Sequence, residues 1–349
     1  MKPLKGVPIS PSRAFATGAG CLIVLAISVV ACIAQEVKFE RGTSTLDIPF
    51  ELRNHIFLKV SVNGSEPLTF ILDTGASRTI LDVRLARSLG LEVEPEGKVT
   101  DATGANQPDA FRIKDKLTLK LPGLVLYLQA AAISLADLQR CFDLAAQGKV
   151  GFIRKHDPKK GPIAVPPKID GILGKDVFDK FVIEIDYRQR RLSLYDTETE
   201  ATTAGEIIPI EVGNSFTFVR VQLKNNKMRS IAARLILDTG AGMPLWLERP
   251  FAAKNHLITR KREMSSFVDC GTGGVARKPS RVARIDSIRI GARNIAGSGV
   301  IFYEEPLIDG ADGFLGNPFL SVFGRVTFDY PRSRLILGTG TRTPNPRGN

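Results

Sequence analysis

The chain has 349 residues, which is too long for one small domain and long enough for two lobes with separate hydrophobic cores. Hydrophobic residues make up 43% of it and no tract is of low complexity, so the composition excludes a largely disordered protein. The net charge of +12 is scattered and is not interleaved with aromatic residues in one patch, which argues against a nucleic-acid-binding surface.

The N-terminal segment, residues 1–34, differs from the rest of the chain. Three basic residues precede an uncharged stretch from Ala14 to Gln35, and this is the arrangement of an export signal. Three interpretations stay open: a cleaved signal peptide, a lipoprotein-type signal that leaves an acylated Cys32, and an uncleaved membrane anchor. All three predict that the rest of the chain is exported, as a periplasmic, secreted or membrane-anchored protein.

The next part of the chain predicts short strands with few helices. HIFLKVSV alternates apolar and polar residues, as a half-buried strand does. TFILDTGASRTIL, residues 69–81, then runs three apolar residues directly into Asp-Thr-Gly at Asp73–Gly75. After it, LDVRLARSLGL has helical spacing, with Asp82 as a cap and Gly90 where the helix ends.

A basic, Pro-containing insertion, residues 139–168, follows later in the first half. A solvated surface loop is one interpretation of it. A lid or docking loop is the other, and only the length of the segment favours that one. The block DGILGKDVFDKFVIEIDYRQRRLSL, residues 170–194, then ends the half with a strand–turn–strand pattern.

The second half contains the same blocks in the same order. FTFVRVQL predicts a strand, RLILDTGAGMPLW contains Asp-Thr-Gly at Asp238–Gly240, and DGFLGNPFLSVFGRVTFDYPRSRLIL ends the half. We interpret the chain as a tandem duplication of one lobe. The predicted domains are the signal or anchor at 1–34, an N-terminal lobe at 35–204 with the insertion 139–168, a C-terminal lobe at 205–338 and a tail at 339–349.

Two lobes packed about a pseudo-two-fold axis would bring the two Asp-Thr-Gly loops together, with Asp73 facing Asp238. Two carboxyl groups in contact cannot both ionise at low cost, so one keeps a proton and the pair titrates as a unit. Such a pair supplies a base that activates a water molecule and an acid that protonates a leaving nitrogen. Thr74 and Thr239 carry hydroxyls that would brace one loop on the other.

ILDTGAS and ILDTGAG, each followed downstream by apolar-Leu-Gly, resemble the pepsin/retropepsin superfamily of aspartic endopeptidases. Asp-Thr-Gly-Ala is most similar to bacterial exported retropepsin-like proteins with two tandem lobes. The resemblance covers roughly residues 48–337 and implies an all-β, bilobal fold with few short helices and a cleft between the lobes. It implies Asp73 and Asp238 as catalytic residues, and Gly174 and Gly316 as packing glycines beneath the loops. The supporting loop residues that it implies are Thr74, Gly75, Thr239 and Gly240.

The superfamily also covers the bound peptide with a β-hairpin flap. By position, Thr100–Asp109 and Asp269–Lys278 are the candidate flaps, where backbone N–H groups would bind carbonyl groups of the substrate. An ordinary glycine-rich turn is the alternative interpretation. Neither segment contains Tyr, so a flap tyrosine does not carry over. The candidate substrate-binding residues are Thr103, Gly104, Gly271, Gly273 and Gly274.

The second active-site loop departs from the first after Asp-Thr-Gly-Ala. Gly242, Pro244 and Trp246 stand where the first loop has Ser77, Thr79 and Leu81. We interpret Trp246 either as a core residue or as part of a substrate subsite. Ala76 and Ala241 offer no hydroxyl to the neighbouring carboxylate, so we predict an activity optimum in mild rather than strong acid.

The sequence therefore predicts an exported aspartic endopeptidase that cleaves extended peptides or unfolded proteins as a monomer, without a cofactor. No pair of the three histidines has the spacing of metal ligands, so no metal site is predicted. The alternative function is a non-catalytic peptide-binding or scaffold protein that keeps the fold, and a nucleic-acid binder is less supported. Cys141 and Cys270 fall in different halves and are interpreted either as a disulfide or as two free buried thiols.

Overall fold

A computed structural model of the chain divides into two compact units, residues 1–34 and residues 35–349. The structure describes residues 36–99, 108–147, 149, 151–152, 167–199, 204–225, 229–257, 265–276, 280–303 and 310–339, which all belong to the second unit. The predicted signal or anchor segment and the predicted tail beyond residue 339 lie outside these residues. Among the described residues, no helix is long and apolar enough to cross a membrane.

The described part of the first half contains fifteen strands. They are β1 (Val37–Phe39), β2 (Ser44–Pro49), β3 (Glu51–Arg53), β4 (His55–Val62), β5 (Leu68–Leu72), β6 (Ile80–Asp82), β7 (Val93–Lys98), β8 (Asp109–Ile113), β9 (Leu117–Leu121), β10 (Leu124–Leu128), β11 (Ala131–Ile133), β12 (Gly151–Phe152), β13 (Gly171–Leu173), β14 (Val182–Asp186) and β15 (Arg191–Tyr195). The helices of this half are α1 (Val83–Ser88), α2 (Ala136–Ala146) and α3 (Lys175–Phe178).

The described part of the second half contains fourteen strands. They are β16 (Gly205–Val212), β17 (Thr217–Asn225), β18 (Arg229–Asp238), β19 (Leu245–Glu248), β20 (Ser265–Val268), β21 (Cys270–Gly271), β22 (Gly274–Val275), β23 (Ser280–Arg284), β24 (Ser287–Ile290), β25 (Arg293–Ala296), β26 (Gly299–Tyr303), β27 (Gly313–Gly316), β28 (Arg325–Asp329) and β29 (Arg334–Gly338). The helices are α4 (Arg249–Lys254), α5 (Asn317–Leu320) and a 3-10 turn (Ser321–Phe323). The prediction of a mainly β protein with few short helices is confirmed.

The first sheet is built from first-half strands in the order β1-β10-β9-β4-β5-β13-β6-β11-β8-β7, with β3 paired to β4. The strand β5, LTFIL, is almost entirely buried because apolar residues occupy both of its faces. The predicted helix after it is confirmed as α1. The Asp82 carboxylate accepts hydrogen bonds from the N–H groups of Arg84 and Leu85, and Gly90 has a left-handed φ of 73° just beyond the helix.

The second large sheet crosses the boundary between the halves. Its path contains the order β16-β29-β28-β14-β15-β2, in which β2, β14 and β15 come from the first half. The two halves meet where β14 pairs with β28, with Ile183 opposite Phe328. Aromatic packing reinforces this joint, since the Phe178 ring lies 5.2 Å from that of Phe328 and 5.7 Å from that of Tyr330. Both halves therefore contribute strands to this six-stranded part of the sheet.

A disulfide also links the two halves. Cys141 on α2 is bonded to Cys270 on β21, so the interpretation of these residues as two free thiols is wrong. The insertion makes a second connection, because β12 pairs with β20 of the second half, with Gly151 opposite Val268. The described parts of the insertion thus run from one half of the protein to the other.

Candidate active site

The strands β5 and β18 bring the two Asp-Thr-Gly loops to the centre of the protein. Each pairs in parallel with the strand that carries the downstream Gly-apolar-Leu motif, β5 with β13 and β18 with β27. The Asp73 N–H donates to the carbonyl of Leu173 at 2.9 Å, and Asp238 lies opposite Gly316. Both aspartates therefore stand at the end of a buried, hydrogen-bonded strand, which holds their backbones in place.

Two threonine side chains lock the loops to each other. The Thr74 N–H donates to Oγ1 of Thr239 at 3.0 Å, and the Thr239 N–H donates to Oγ1 of Thr74 at the same distance. Each hydroxyl in turn donates to a carbonyl of the opposite half, Thr74 to Leu237 at 2.8 Å and Thr239 to Leu72 at 2.9 Å. Both threonines are fully buried, so these four bonds are shielded from water.

The two motif glycines permit a very close approach of the loops. A Cβ atom on Gly75 would lie 2.6 Å from Cγ of Asp238, and one on Gly240 would lie 2.3 Å from Cγ of Asp73. Either distance is far inside van der Waals contact, so any side chain at these positions would push the opposite carboxyl group away. The glycine of each half therefore leaves space for the carboxyl group of the aspartate in the other half.

The carboxyl groups of Asp73 and Asp238 are in hydrogen-bonding contact. The N–H of Gly75 donates to Oδ1 of Asp73 at 2.7 Å, and the N–H of Gly240 donates to Oδ1 of Asp238 at 2.9 Å. Burial raises the pKa of Asp73, and burial together with the charge of Asp73 raises the pKa of Asp238 well above its usual value. The pair therefore keeps one proton at a pH where isolated carboxyl groups have lost theirs, and it combines one acid with one base.

Comparison with known proteins agrees with this arrangement. Residues 58–177 match the family model described as aspartyl protease. The matched segment contains the first Asp-Thr-Gly loop and is similar to aspartyl proteases. No curated protein sequence matches it.

The solved structures that are similar to the chain include two that are described as aspartic proteases. An aspartic proteinase from Irpex lacteus is 14% identical, with a TM-score of 0.48 over 88% of this chain and 100% of that chain. A retropepsin-like aspartic protease from Rickettsia conorii is 16% identical, with a TM-score of 0.26 over 46% of this chain and 91% of that chain. The basic 7S globulin from soybean is 10% identical, with a TM-score of 0.44 over 86% of this chain and 96% of that chain.

The glycines that the superfamily resemblance places beneath the loops lie directly against them. A Cβ atom on Gly174 would lie 2.3 Å from the backbone carbon of Arg78, and one on Gly316 would lie 1.9 Å from the carbonyl oxygen of Met243. Gly316 also donates its N–H to the carbonyl of Pro244 at 3.1 Å. The departures of the second loop therefore leave its support from below in place. Trp246 is buried in β19, as the core interpretation expects.

The candidate flap residues fall into two groups. Thr103 and Gly104 lie outside the described residues. Gly271, Gly273 and Gly274 lie in the β21–β22 hairpin, where Gly271 pairs with Gly274. Gly273 and Gly274 are buried, and the hairpin is joined to α2 through the disulfide. The second candidate flap is therefore held against an element of the first half.

His55 is a site residue that sequence reasoning left as an isolated histidine. A Cβ atom on Gly242 would lie 3.0 Å from Cε1 of His55, so the ring contacts the second active-site loop. Burial lowers the pKa of His55 to about 4, and the backbone carbonyls of Arg53 and Gly240 partly oppose that shift. Its Nδ1 is buried and has no hydrogen-bond partner among the described residues. No sequence pattern signals this contact, because the two segments are far apart along the chain.

A hydrogen-bonded chain supports the residue before His55. The Tyr187 hydroxyl donates to Oδ1 of Asn317 at 2.7 Å, and Nδ2 of Asn317 donates to the carbonyl of Asn54 at 2.7 Å. Asn317 is buried and stands on α5, directly after the downstream Gly of the second half. The Asn317 side chain of the second half therefore holds the backbone of the first half just before β4.

Replacing His55 with Phe is expected to make the protein more resistant to acid. The folded pKa of about 4 lies below the ordinary value of 6.5, so the folded state binds the proton less well than the unfolded chain. The stability that follows from a neutral His55 is present above pH 6.5 and is lost as the pH falls towards about 4, by roughly 3 kcal/mol. Urea unfolding across that range measures the effect. A variant that loses stability as steeply as the wild type would contradict it.

Proposed function

We propose that the chain is an exported aspartic endopeptidase that hydrolyses peptide bonds in extended peptides or unfolded proteins. The close approach of the buried carboxyl groups of Asp73 and Asp238, on two loops that are hydrogen-bonded to each other, is the observation that carries the proposal. Structural cores do not ordinarily bury two unpaired carboxyl groups against each other, because this arrangement costs stability. Perturbed carboxyl pKa values at a site that joins two lobes are typical of catalytic pairs.

The reaction follows from the different protonation of the two carboxyl groups. The Asp73 carboxylate takes a proton from a water molecule held between the pair, and that water attacks the carbonyl carbon of the peptide bond. Asp238 donates its proton to the carbonyl oxygen, which stabilises the tetrahedral intermediate. The proton taken up by Asp73 then passes to the leaving nitrogen, one hydroxyl of the intermediate returns its proton to Asp238, and the carbon–nitrogen bond breaks. The pair ends the cycle with one proton, as it began.

The proposed substrate is a peptide in an extended conformation. An extended chain exposes its N–H and carbonyl groups to hydrogen bonding, and its side chains alternate between two sides. Because both aspartates belong to one chain, a single copy of the protein supplies the whole catalytic pair, and the proposed enzyme acts as a monomer. The proposal includes no cofactor, since the pair and one water molecule complete the chemistry.

The test of this function is direct cleavage. The purified chain is incubated with a library of unstructured peptides, from acidic to mildly alkaline pH, in water enriched with heavy oxygen. We expect internal cleavage, with one heavy oxygen atom in each new carboxyl group and cleavage by Asp238→Asn that is at least about 100-fold slower. A wild-type protein that cleaves no peptide at any pH, while it keeps its folded circular dichroism spectrum, would contradict the proposal.

The pH profile of the activity is expected to peak in mild acid. The raised pKa values of the pair keep the shared proton bound to a higher pH than an isolated carboxyl group would allow. Activity therefore falls at the alkaline side only when that proton leaves, and at the acidic side when the second carboxyl group takes up a proton. Measuring kcat/KM against pH locates both limbs. A maximum at about pH 2, where ordinary carboxyl groups are protonated, would refute this prediction.

A further inference from the structure

The helix α2 at the start of the insertion is anchored in the first half. The N–H of Leu135, just before the helix, donates to Oδ2 of Asp82 at 2.9 Å. On the helix itself, Oε1 of Gln139 accepts a hydrogen bond from the N–H of Ile169 at 2.8 Å. Asp82 ends β6, which follows the first active-site loop, and Ile169 lies just before β13. The helix is therefore a fixed element of the first half.

The same helix is tied to the second half by its next residues. Cys141 forms the disulfide with Cys270, whose hairpin belongs to the second half. The Cα atoms of the two cysteines are 5.6 Å apart, so the helix and the hairpin are adjacent. The short strand β12 adds backbone pairing with β20 beside that hairpin. The helix α2 thus bridges the two halves, and its position depends on both.

Phe142, the residue after the bonded cysteine, lies close to the active-site loop. Its ring makes a T-shaped contact with His55 at 4.9 Å and lies 6.0 Å from the ring of Phe57. The His55 ring in turn contacts the second active-site loop at Gly242. One aromatic ring therefore separates Phe142 from the loop that carries Asp238. Phe142 is only partly buried, so part of this residue is accessible.

We propose that Phe142 is a specificity-determining residue, whose ring forms a wall of the substrate side-chain pocket beside the second active-site loop. The Cys141–Cys270 disulfide fixes the position of that wall. The accessible part of Phe142 lies beside the His55 ring, so the pocket that it borders accepts an apolar side chain of limited size. This inference rests on the proposed endopeptidase function and adds the class of side chain that the site selects.

The experiment compares peptides that differ only in one side chain near the scissile bond: Ala, Leu, Phe or Trp. Phe142→Ala is expected to raise kcat/KM for the largest side chain relative to the smallest about tenfold, at one position of the peptide. Phe142→Leu is expected to give an intermediate shift. The matched control is Phe39→Ala, which also removes a partly buried ring with one aromatic neighbour, Phe181, and is expected to keep the wild-type preference.

The disulfide is tested with the double variant Cys141→Ser and Cys270→Ser. Without the bond, α2 keeps its anchors in the first half but loses its covalent link to the second, and Phe142 gains freedom. We expect the substrate preference of the double variant to shift towards larger side chains, as in Phe142→Ala. An unchanged preference in the double variant would overturn the part of the proposal that assigns the wall's position to the disulfide.

Binding separates this proposal from the endopeptidase proposal. The same peptides are titrated by calorimetry against Asp238→Asn protein, with and without Phe142→Ala, so that no hydrolysis is needed. A shift in Kd towards the larger side chains supports the pocket even if the wild type cleaves nothing. An unchanged order of both Kd and kcat/KM in Phe142→Ala overturns it. If Phe142→Ala does not fold, Phe142→Leu decides by the same criteria.

Discussion

Replacing either Asp73 or Asp238 with Asn is expected to lower kcat by about 100-fold to about 10,000-fold, with little change in KM. Asn has nearly the same shape, but it neither carries the shared proton nor acts as a base. The N–H groups of Gly75 and Gly240 still find an amide oxygen at the positions where they now meet Oδ1. The loops therefore keep their geometry while the chemistry is lost. Steady-state kinetics on a cleaved peptide measures the effect.

Asp196→Asn is the matched control for these variants. Oδ1 of Asp196 accepts a hydrogen bond from the N–H of Glu198 in a turn, and this carboxyl group lies outside the catalytic pair. We expect wild-type kcat and KM for it. Substantial activity in both Asp73→Asn and Asp238→Asn would mean that a different group performs the hydrolysis.

The same Asn variants are expected to be more stable than the wild type above neutral pH. Because the folded pKa of Asp238 is raised, the folded protein holds its proton more tightly than the unfolded chain does. The wild type therefore loses stability as the pH rises from the unfolded pKa through the folded pKa, at about 1.4 kcal/mol for each pKa unit. Asn carries no such proton, so the advantage of Asp238→Asn increases with pH. Urea unfolding at several pH values measures it.

Replacing Thr74 or Thr239 with Val is expected to lower the free energy of unfolding by about 2 to about 4 kcal/mol and to lower kcat at least about tenfold. Val keeps the shape of Thr but has no hydroxyl. Thr74→Val would leave the buried N–H of Thr239 and the buried carbonyl of Leu237 without a partner, at about 1 to about 3 kcal/mol each. The two loops would then be free to separate, and small displacements of catalytic groups are costly.

The control for the threonine pair is substitution by Ser at the same position. Thr74→Ser and Thr239→Ser keep the hydroxyl and both of its hydrogen bonds, so we expect most of the stability and activity to remain. The double variant Thr74→Val/Thr239→Val is expected to lose less than the sum of the single variants, because the four bonds form one unit. Additive losses would show that the two threonines act independently.

The sequence determined the local features of this protein. Three apolar residues before each Asp-Thr-Gly predict a buried strand that ends on an aspartate, and both β5 and β18 have this form. The helix α1 follows from residues within one short stretch, the Asp82 cap and the glycine at its end. The mainly β fold, with two curled sheets, follows from many such stretches. These features depend on neighbours along the chain, and those neighbours are visible in the sequence.

Only the tertiary structure decided which distant segments meet. The Cys141–Cys270 disulfide joins residues 129 positions apart, and the sequence allowed free thiols equally well. The shared sheet places strands of the first half beside β28, across the boundary predicted at residues 204 and 205. The contacts of His55 and Phe142 with each other and with the second loop have no local pattern. Such contacts depend on how two halves pack in space, and packing is a property of the whole chain.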